Sequence, residues 1–494
     1  MPAVVVSILA LVAAALLALV LGAGCSDTFH PEGNAVGSSP PGGYGATPGG
    51  VQDMQIARQL VAAGQVPPAA ALRVEGMFSE HDLPLDGGDC ASTLCIGGAP
   101  GWEDDSGWLQ IGLSSDIDPG TFVRPASAIV LLVDISGSMG WSYGQYGVPA
   151  AVARALLLSM IEAFDAGDRI GIATFATTAA LVQTFVPGDQ HDLLAGHVAA
   201  MTDAGTTNME AGLRLAQEMF QGIELDVEER RVILMTDANP NTGATAPGAF
   251  MSIAAGLAAD GIGLTVIGTG IGLDSTVMQA MLDLEGGNGF SVVAAEDVDA
   301  FLEDQWPWMV CPIAHALSLA IAPTGGFEVS GGYGFPGDEA GLEVASVFLS
   351  KRRGALLVRL AGGELTTLGA EIDLDYRTPD GATHQQHLTL AVPAGAAPDS
   401  AGRYFAAYST RKATALALLV DGMRSAAEVY TAAPEAAIAL MQAARDRFDS
   451  DADALLAQGQ GDAADIERER ALAAAMLTLM REGAPQGTLY GQLP

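Results

Sequence analysis

Three short segments of the chain carry side-chain oxygens, directly after apolar runs or at the start of a helical pattern. They span residues 134–138, 205–209 and 236–237. Their polar side chains are mainly hydroxyls and carboxylates, and a set of oxygens suits a hard ion of the Mg²⁺ kind. The alternative is that these residues only cap turns and helices. The segments read Asp134-Ile135-Ser136-Gly137-Ser138, Gly205-Thr206-Thr207-Asn208-Met209 and Thr236-Asp237.

Residues 126–306, which contain these segments, alternate short apolar runs with stretches that place apolar residues at helical spacing. The alternation predicts a doubly wound α/β fold, a mostly parallel sheet with helices on both faces. Ligands of such sheets bind beyond the carboxyl ends of the strands, where all three segments fall. The predicted strands are Ile129–Val133, Ile170–Phe175, Val232–Met235, Leu264–Ile267 and Phe290–Val293, and the predicted helices span 150–165, 191–201, 209–222, 248–260, 275–284 and 296–305.

In this order and at these junctions, the three segments closely resemble the metal-ion-dependent adhesion site of the von Willebrand factor A fold. The resemblance covers residues 126–306 and implies that fold, with one bound Mg²⁺ or Mn²⁺ ion. It implies that hydroxyl oxygens bind the ion and that carboxylates approach it directly or through water. The hydroxyls belong to Ser136, Ser138 and Thr207, and the carboxylates to Asp134 and Asp237.

Thr207, and not Thr206, matches the family threonine because it stands two residues before the apolar Met209. Neutral hydroxyl ligands leave the ion with much of its charge and with one coordination position open. An outside carboxylate is the natural occupant, so we expect a protein partner that offers an Asp or Glu side chain. The competing hypothesis is a structural envelope scaffold, in which the metal site serves only stability.

Three aromatic residues follow the first segment: Trp141, Tyr143 and Tyr146. They are either contact anchors on the rim of the site or side chains that pack over the loop.

Enzyme activity is not expected, because hydrolytic metal sites need a general base beside the activated water. The three segments contain no histidine, and none of the seven histidines of the chain lies in a His-Glu-x-x-His arrangement. Gly268-Thr269-Gly270-Ile271-Gly272 is similar to part of a dinucleotide loop but lacks its full spacing. The formal net charge of −36 excludes nucleic acid as a natural partner, since such a surface repels phosphate.

The amino-terminal residues are expected to direct export, with residues 1–24 as a signal peptide. Val4 to Val20 is almost unbroken in apolar residues, and Cys25 directly follows Gly and Ala. This arrangement resembles the bacterial lipobox and implies acylation at Cys25, with residues 25–50 forming the attachment point and a flexible Gly- and Pro-rich tether. A plain signal peptide and a transmembrane anchor are the alternatives.

Export bears on the remaining cysteines, because the space outside the cytoplasm is oxidising. Cys90 and Cys95 lie close together in a Gly- and Asp-rich turn, which favours a disulfide between them. A zinc site would need two more ligands, and only His81 is near in sequence. Cys311 is then left as a buried thiol.

Three further regions complete the predicted organisation. Residues 51–125 resemble the segment before the A domain in a family of bacterial envelope lipoproteins. Residues 311–400 alternate with period two, which predicts a small β-sandwich, and residues 409–483 predict a helical carboxyl-terminal region. The expected location is the bacterial cell envelope, lipid-anchored on a periplasmic or cell-surface face, with the outer membrane favoured. The resemblance of residues 51–125 to the lipoprotein segment rests on Ala57-Arg58-Gln59-Leu60, Gly64-Gln65-Val66-Pro67, Leu72-Arg73-Val74-Glu75 and Trp108-Leu109-Gln110-Ile111-Gly112-Leu113.

Overall fold

Regular strands and helices account for most of the chain that the computed structural model describes. The described residues are 45–47, 54–85, 90, 92–117, 121–142, 148–237, 247–270, 281, 283–306, 308–334, 341–350, 352–459 and 463–488. The strands are β1 (Gly45–Thr47), β2 (Cys95–Glu103), β3 (Ser106–Ser114), β4 (Ser127–Asp134), β5 (Arg169–Phe175), β6 (Ala179–Pro187), β7 (Glu229–Thr236), β8 (Gly263–Thr269), β9 (Gly287–Val292), β10 (Pro312–Thr324), β11 (Phe327–Tyr333), β12 (Gly341–Ser350), β13 (Leu356–Gly362), β14 (Gly369–Arg377), β15 (Thr383–Ala391) and β16 (Tyr404–Phe405). The helices are α1 (Gln55–Ala62), α2 (Val74–Ser79), α3 (Pro149–Glu162), α4 (His191–Ala199), α5 (Met209–Phe220), α6 (Pro247–Ala259), α7 (Val298–Gln305), α8 (Tyr408–Val429), α9 (Pro434–Ala457) and α10 (Ala463–Glu482).

The sheet that carries the candidate site has the strand order β6-β5-β4-β7-β8-β9. Its strands are parallel except for the β5–β6 pair. Alternate residues of the central strand β4 enter two different cores, because successive side chains of a strand point to opposite faces. Leu131 packs in one core with Leu156 of α3, and Leu132 packs in the other with Leu213 of α5. The predicted doubly wound, mostly parallel sheet is therefore confirmed.

Strand β6 is the one element of this sheet that the sequence pattern does not predict. It runs antiparallel to β5 at the edge of the sheet, with Ala179 opposite Phe175. The intervening residues, Ala176, Thr177 and Thr178, include none of the Gly, Pro, Asn or Asp residues that usually mark a hairpin turn. The hairpin therefore has no local sequence signal.

The second sheet forms the predicted β-sandwich. One half contains β11, β13, β3, β2 and β16, the other contains β1, β12, β10, β14 and β15, and β1 bridges the halves at its pair with β3. Side chains of both halves share one core, among them Ile111, Val358, Leu319 and Ile372. Strands β2 and β3 lie before the parallel sheet in the chain, so the sandwich includes strands from outside residues 311–400.

The carboxyl-terminal region is helical, as predicted, and consists of α8, α9 and α10. These helices share a core with the amino-terminal helices, in which Leu72 and Met77 pack with Leu416 and Met476. The backbone of Val66 also forms hydrogen bonds with Pro485 and Gly487. Within the described residues, none of the helices has the length and the apolar character needed to span a membrane.

Candidate metal centre

The first loop of the candidate site follows β4 directly, and Asp134 is the last residue of that strand. The carboxylate of Asp134 is buried and accepts two hydrogen bonds. Its Oδ1 accepts from the backbone N–H of Ser136 at 2.8 Å, and its Oδ2 accepts from the Thr236 hydroxyl at 2.7 Å. The hydroxyl oxygens of Ser136 and Ser138 lie 3.1 Å apart. These contacts gather a carboxylate and two hydroxyls at the end of one central strand.

The second loop lies against the first through backbone hydrogen bonds. The N–H of Gly137 donates to the carbonyl of Gly205 at 3.0 Å, and the N–H of Ala204 donates to the carbonyl of Ile135 at 2.8 Å. A Cβ atom at Gly137 would lie 3.3 Å from the Gly205 carbonyl oxygen, so a side chain there would press the two loops apart. The absence of a side chain at Gly137 permits this close approach.

Thr207 and Thr206 have opposite environments in this second loop. Thr207 is fully buried, whereas Thr206 is exposed. The loop ends where Asn208 caps α5, since its side-chain oxygen accepts a hydrogen bond from the N–H of Ala211. Thr207 is therefore the threonine of this pair that the fold directs inward, which agrees with its selection from the spacing to Met209.

The third segment brings Asp237 to the same edge of the sheet. Strands β4 and β7 are parallel, with Val133 opposite Met235, so Asp134 and the residues after Met235 lie side by side. Asp237 is buried, and Thr236 donates its hydroxyl to Asp134. All five predicted site residues thus lie on three neighbouring loops at the carboxyl ends of β4 and β7 and the start of α5.

Two buried carboxylates at one edge influence each other's charge. The pKa of Asp134 is raised to about 6, chiefly because the carboxyl group is buried; the hydrogen bonds from Thr236 and Ser136 oppose this rise, and the negative charge of Asp237 adds to it. A cation beside both carboxylates would offset the cost of burying their charge. Their presence, together with hydroxyl oxygens, fits a hard divalent ion that prefers oxygen ligands.

The donor set of the site is mixed. Within the part of the chain that the structure describes, no three His, Cys, Asp or Glu side chains form a metal-binding group. A metal ion here would therefore depend on hydroxyl oxygens in addition to the two carboxylates. That dependence is the property that distinguishes such a site from one built of carboxylates alone.

A comparison with protein-family models assigns this region. Residues 129–239 match the model of the von Willebrand factor type A domain. The chain contains a von Willebrand factor type A domain. The match begins in β4 and ends just after Asp237, so it spans all three loops of the site. The fold class expected from the sequence is thereby confirmed.

One curated protein is similar to part of this chain. The uncharacterized protein YfbK of Escherichia coli (strain K12) is 23% identical over 276 residues, which cover 53% of this chain and 47% of YfbK. The chain thus spans about half the length of that curated relative.

Among solved structures, a von Willebrand factor type A protein from Catenulispora acidiphila is 12% identical with a TM-score of 0.46, covering 79% of this chain and 98% of that one. The ArnB paralog VWA2 from Sulfolobus acidocaldarius is 17% identical with a TM-score of 0.39, and the match covers 80% of this chain and 100% of that one.

The rim of the A-domain site includes Trp141, whose side chain is 61% exposed. Its backbone N–H donates to the carbonyl of Ser138 at 3.0 Å, which places it directly after the first loop. Tyr143 and Tyr146 lie outside the described residues, as do the predicted signal peptide and Cys25.

The cysteines of the amino-terminal segment are joined to each other. A disulfide links Cys90 and Cys95, so neither offers a thiolate to zinc. His81 instead lies with its Nε2 atom 3.2 Å from Glu469 of α10, fully buried. Cys311 is a free, buried thiol.

Two residues of the site were not identified from the sequence. Thr236 orients Asp134; the sequence places it directly before Asp237 at a strand end, but its contact with Asp134 depends on the register between β4 and β7. Thr177 contacts the second loop from the β5–β6 turn, and no local pattern marks it, because the turn itself has no signal.

Proposed function

We propose that the A domain binds one Mg²⁺ or Mn²⁺ ion and, through it, an acidic side chain of a partner protein. The residues that would hold the ion are Asp134, Ser136, Ser138, Thr207 and Asp237. The observation that carries the proposal is the convergence of two buried carboxylates with buried or half-buried hydroxyls at one sheet edge. When bound, the ion would supply a positive centre with a position left for an outside carboxylate.

The chain's own residues then have separate tasks. The hydrogen bonds from Thr236 and Ser136 fix the orientation of Asp134. Ser136, Ser138 and Thr207 contribute neutral oxygens, so the site remains short of negative charge towards solvent. Trp141, exposed beside the loop, would cover apolar surface of the partner. We propose binding and not hydrolysis, because the three loops contain no histidine that could serve as a general base.

We also propose that the domain is displayed at the envelope through an acyl group on Cys25. The support is the apolar run from Val4 to Val20, the small residues before the cysteine and the Gly- and Pro-rich segment after it. Labelling cells with a fatty-acid analogue tests this. We expect wild-type protein to be labelled and Cys25→Ser to lose both label and membrane attachment; a variant that keeps both would contradict the proposal.

Calorimetry on the full chain tests the metal site. We expect one Mn²⁺ per wild-type chain and no binding by Asp134→Ala. Asp189→Ala is the matched control: this exposed residue follows the end of β6 that pairs with Arg169, at the opposite edge of the sheet. Equal binding by wild type and Asp134→Ala would reject the assignment of the site.

A pull-down from envelope extract, with and without chelator, tests the partner. We expect chelator to release a protein whose binding is lost when one of its Asp or Glu residues is neutralised. If chelator lowers the melting temperature but leaves partner binding unchanged, the metal serves stability, and the scaffold hypothesis replaces ours.

A further inference from the structure

The turn between β5 and β6 is attached to the loop that carries Thr207. The hydroxyl oxygen of Thr177 accepts the backbone N–H of Thr206 and contacts the Thr206 hydroxyl, each at 3.1 Å. The backbone N–H of Asn208 donates to the carbonyl of Ala176 at 2.8 Å. The side-chain amide of Asn208 lies 3.4 Å from the Thr177 carbonyl. The residues on both sides of Thr207 are therefore held by one turn.

The backbone conformation of the loop also depends on this contact. Gly205 has a φ of +90°, in the region that favours glycine. A Cβ atom at Gly205 would lie 2.7 Å from the Thr177 hydroxyl oxygen, so this hydroxyl occupies the space beside the glycine. The backbone N–H of Thr206 donates its hydrogen bond to this same hydroxyl oxygen of Thr177. Without that hydroxyl, the loop would lose the side-chain contact that holds Thr206.

We infer that Thr177 is a positioning residue of the metal site, although its side chain is exposed and it is not a proposed ligand. It fixes the backbone of Thr206 and so directs the hydroxyl of Thr207 inward. This inference rests on the proposed function, since positioning matters only if Thr207 binds an ion. Loss of a residue that orients a ligand typically weakens metal binding by about 10-fold or more.

The test compares wild type with Thr177→Val, which keeps the shape of the side chain and removes the hydroxyl. In the metal-free full chain, hydrogen-exchange mass spectrometry should show faster exchange of the Thr206 amide in this variant. The Asn208 amide should stay protected, because its acceptor is the backbone carbonyl of Ala176. Calorimetry should show Mn²⁺ affinity weakened about 10-fold, with an unchanged melting temperature.

Two further variants separate positioning from general damage. Thr177→Ser restores the hydroxyl and should restore both Thr206 protection and Mn²⁺ affinity. Thr178→Val makes the same change one residue along and should match wild type. If wild type binds Mn²⁺ and Thr177→Val binds it equally well, this inference alone is overturned. If wild type binds no Mn²⁺, the proposed function is overturned together with it.

Discussion

The Nη2 atom of Arg58 on α1 lies 2.8 Å from both carboxylate oxygens of Glu469 on α10. The two residues are 411 positions apart in the chain, so this ion pair joins the amino-terminal segment to the last helix. Glu469 is fully buried and also contacts His81 and Arg468. Burial alone would raise the pKa of Glu469, but the hydrogen bond to His81 and the nearby arginine charges lower it to about 2. The carboxylate is thus charged in the folded chain.

Arg58→Met should lower the free energy of unfolding by roughly 2–3 kcal/mol, because it leaves a buried carboxylate with less compensation. Arg468 stays beside Glu469, so the loss should be smaller than for a fully unpaired charge. Arg214→Met is the matched control, since Arg214 forms an exposed pair with Glu210 within α5. The control should cost less than about 1 kcal/mol. Urea unfolding measures both, and equal losses would contradict the structural role of the buried pair.

Acidification should destabilise the same contact through His81. Burial lowers the pKa of His81 below 6.5, with the charge of Lys412 also lowering it and the contacts with Glu469 and Asp465 raising it. In the unfolded chain His81 therefore takes up a proton near pH 6.5, whereas in the folded chain it does so only at a lower pH. The contribution of neutral His81 to the free energy of unfolding is therefore complete above pH 6.5. It is lost as the pH falls towards the lower pKa that His81 has in the folded chain.

The contribution of Glu469 has the same sign at lower pH. Its folded pKa of about 2 lies below the ordinary 4.5, so its stabilisation is present above 4.5 and is lost as the pH falls towards 2. His81→Gln should therefore flatten the loss of stability between pH 6.5 and 4.5. A loss below 4.5 should remain, because the nearby arginine charges still lower the pKa of Glu469 and the Gln amide can donate in place of His81. Urea unfolding at a series of pH values checks this. An unchanged slope between 6.5 and 4.5 would show that His81 is protonated in the folded chain.

Thr207→Ala should weaken Mn²⁺ binding at least 10-fold, whereas Thr206→Ala should retain most of it. The difference is expected because Thr207 is buried in the site and Thr206 is exposed. Alanine at 206 also keeps the backbone N–H that Thr177 accepts. Calorimetry with both variants measures the contrast. A larger loss at 206 than at 207 would mean that the loop presents the other threonine to the ion.

Much of this site could be predicted because its parts are local. Asp134 and Asp237 end apolar runs, and parallel strands place such ends at one edge of a sheet. Thr207 could be separated from Thr206 by its spacing to Met209. The contact of Thr236 with Asp134 could not be predicted, since it depends on the register between β4 and β7, which local pattern does not specify.

The pairing of strands that lie far apart in the chain could not be predicted either. Trp108 lies on β3, and its position opposite Arg359 in the sandwich joins segments about 250 residues apart. Thr177 lies in a turn without Gly, Pro, Asn or Asp, so neither the hairpin nor its contact with Thr206 had a signal. Local residue types do not specify which distant strand or loop will pack against a given sheet edge or turn.

Cys311 should resist alkylation in the folded chain. Its side chain is buried, and burial raises its pKa to about 12, so little thiolate is present at neutral pH. Treatment with iodoacetamide, followed by mass spectrometry of the peptide that contains Cys311, should find it unmodified. The same treatment in urea should modify it, which serves as the control. Rapid labelling without denaturant would show that the region around Cys311 opens readily.

Salt should weaken Mn²⁺ binding to the A domain. The chain carries a formal net charge of −36, so its field attracts a cation at low ionic strength. Screening shortens the reach of that field from about 10 Å at 0.1 M salt to about 3 Å at 1 M. We therefore expect calorimetry to show an affinity loss of roughly 3- to 10-fold between 0.05 and 0.5 M NaCl.

Direct competition by Na⁺ for the site oxygens would give a similar trend, so a second salt is needed. Tetramethylammonium chloride screens equally at the same ionic strength, but its cation is too large and too weakly charged at its surface to bind among buried hydroxyls. Equal losses in the two salts would assign the effect to screening by the net charge. A loss in NaCl alone would show that Na⁺ occupies the site. An affinity independent of both salts would mean that the buried carboxylates of Asp134 and Asp237, and not the charge of the whole chain, set the attraction for the ion.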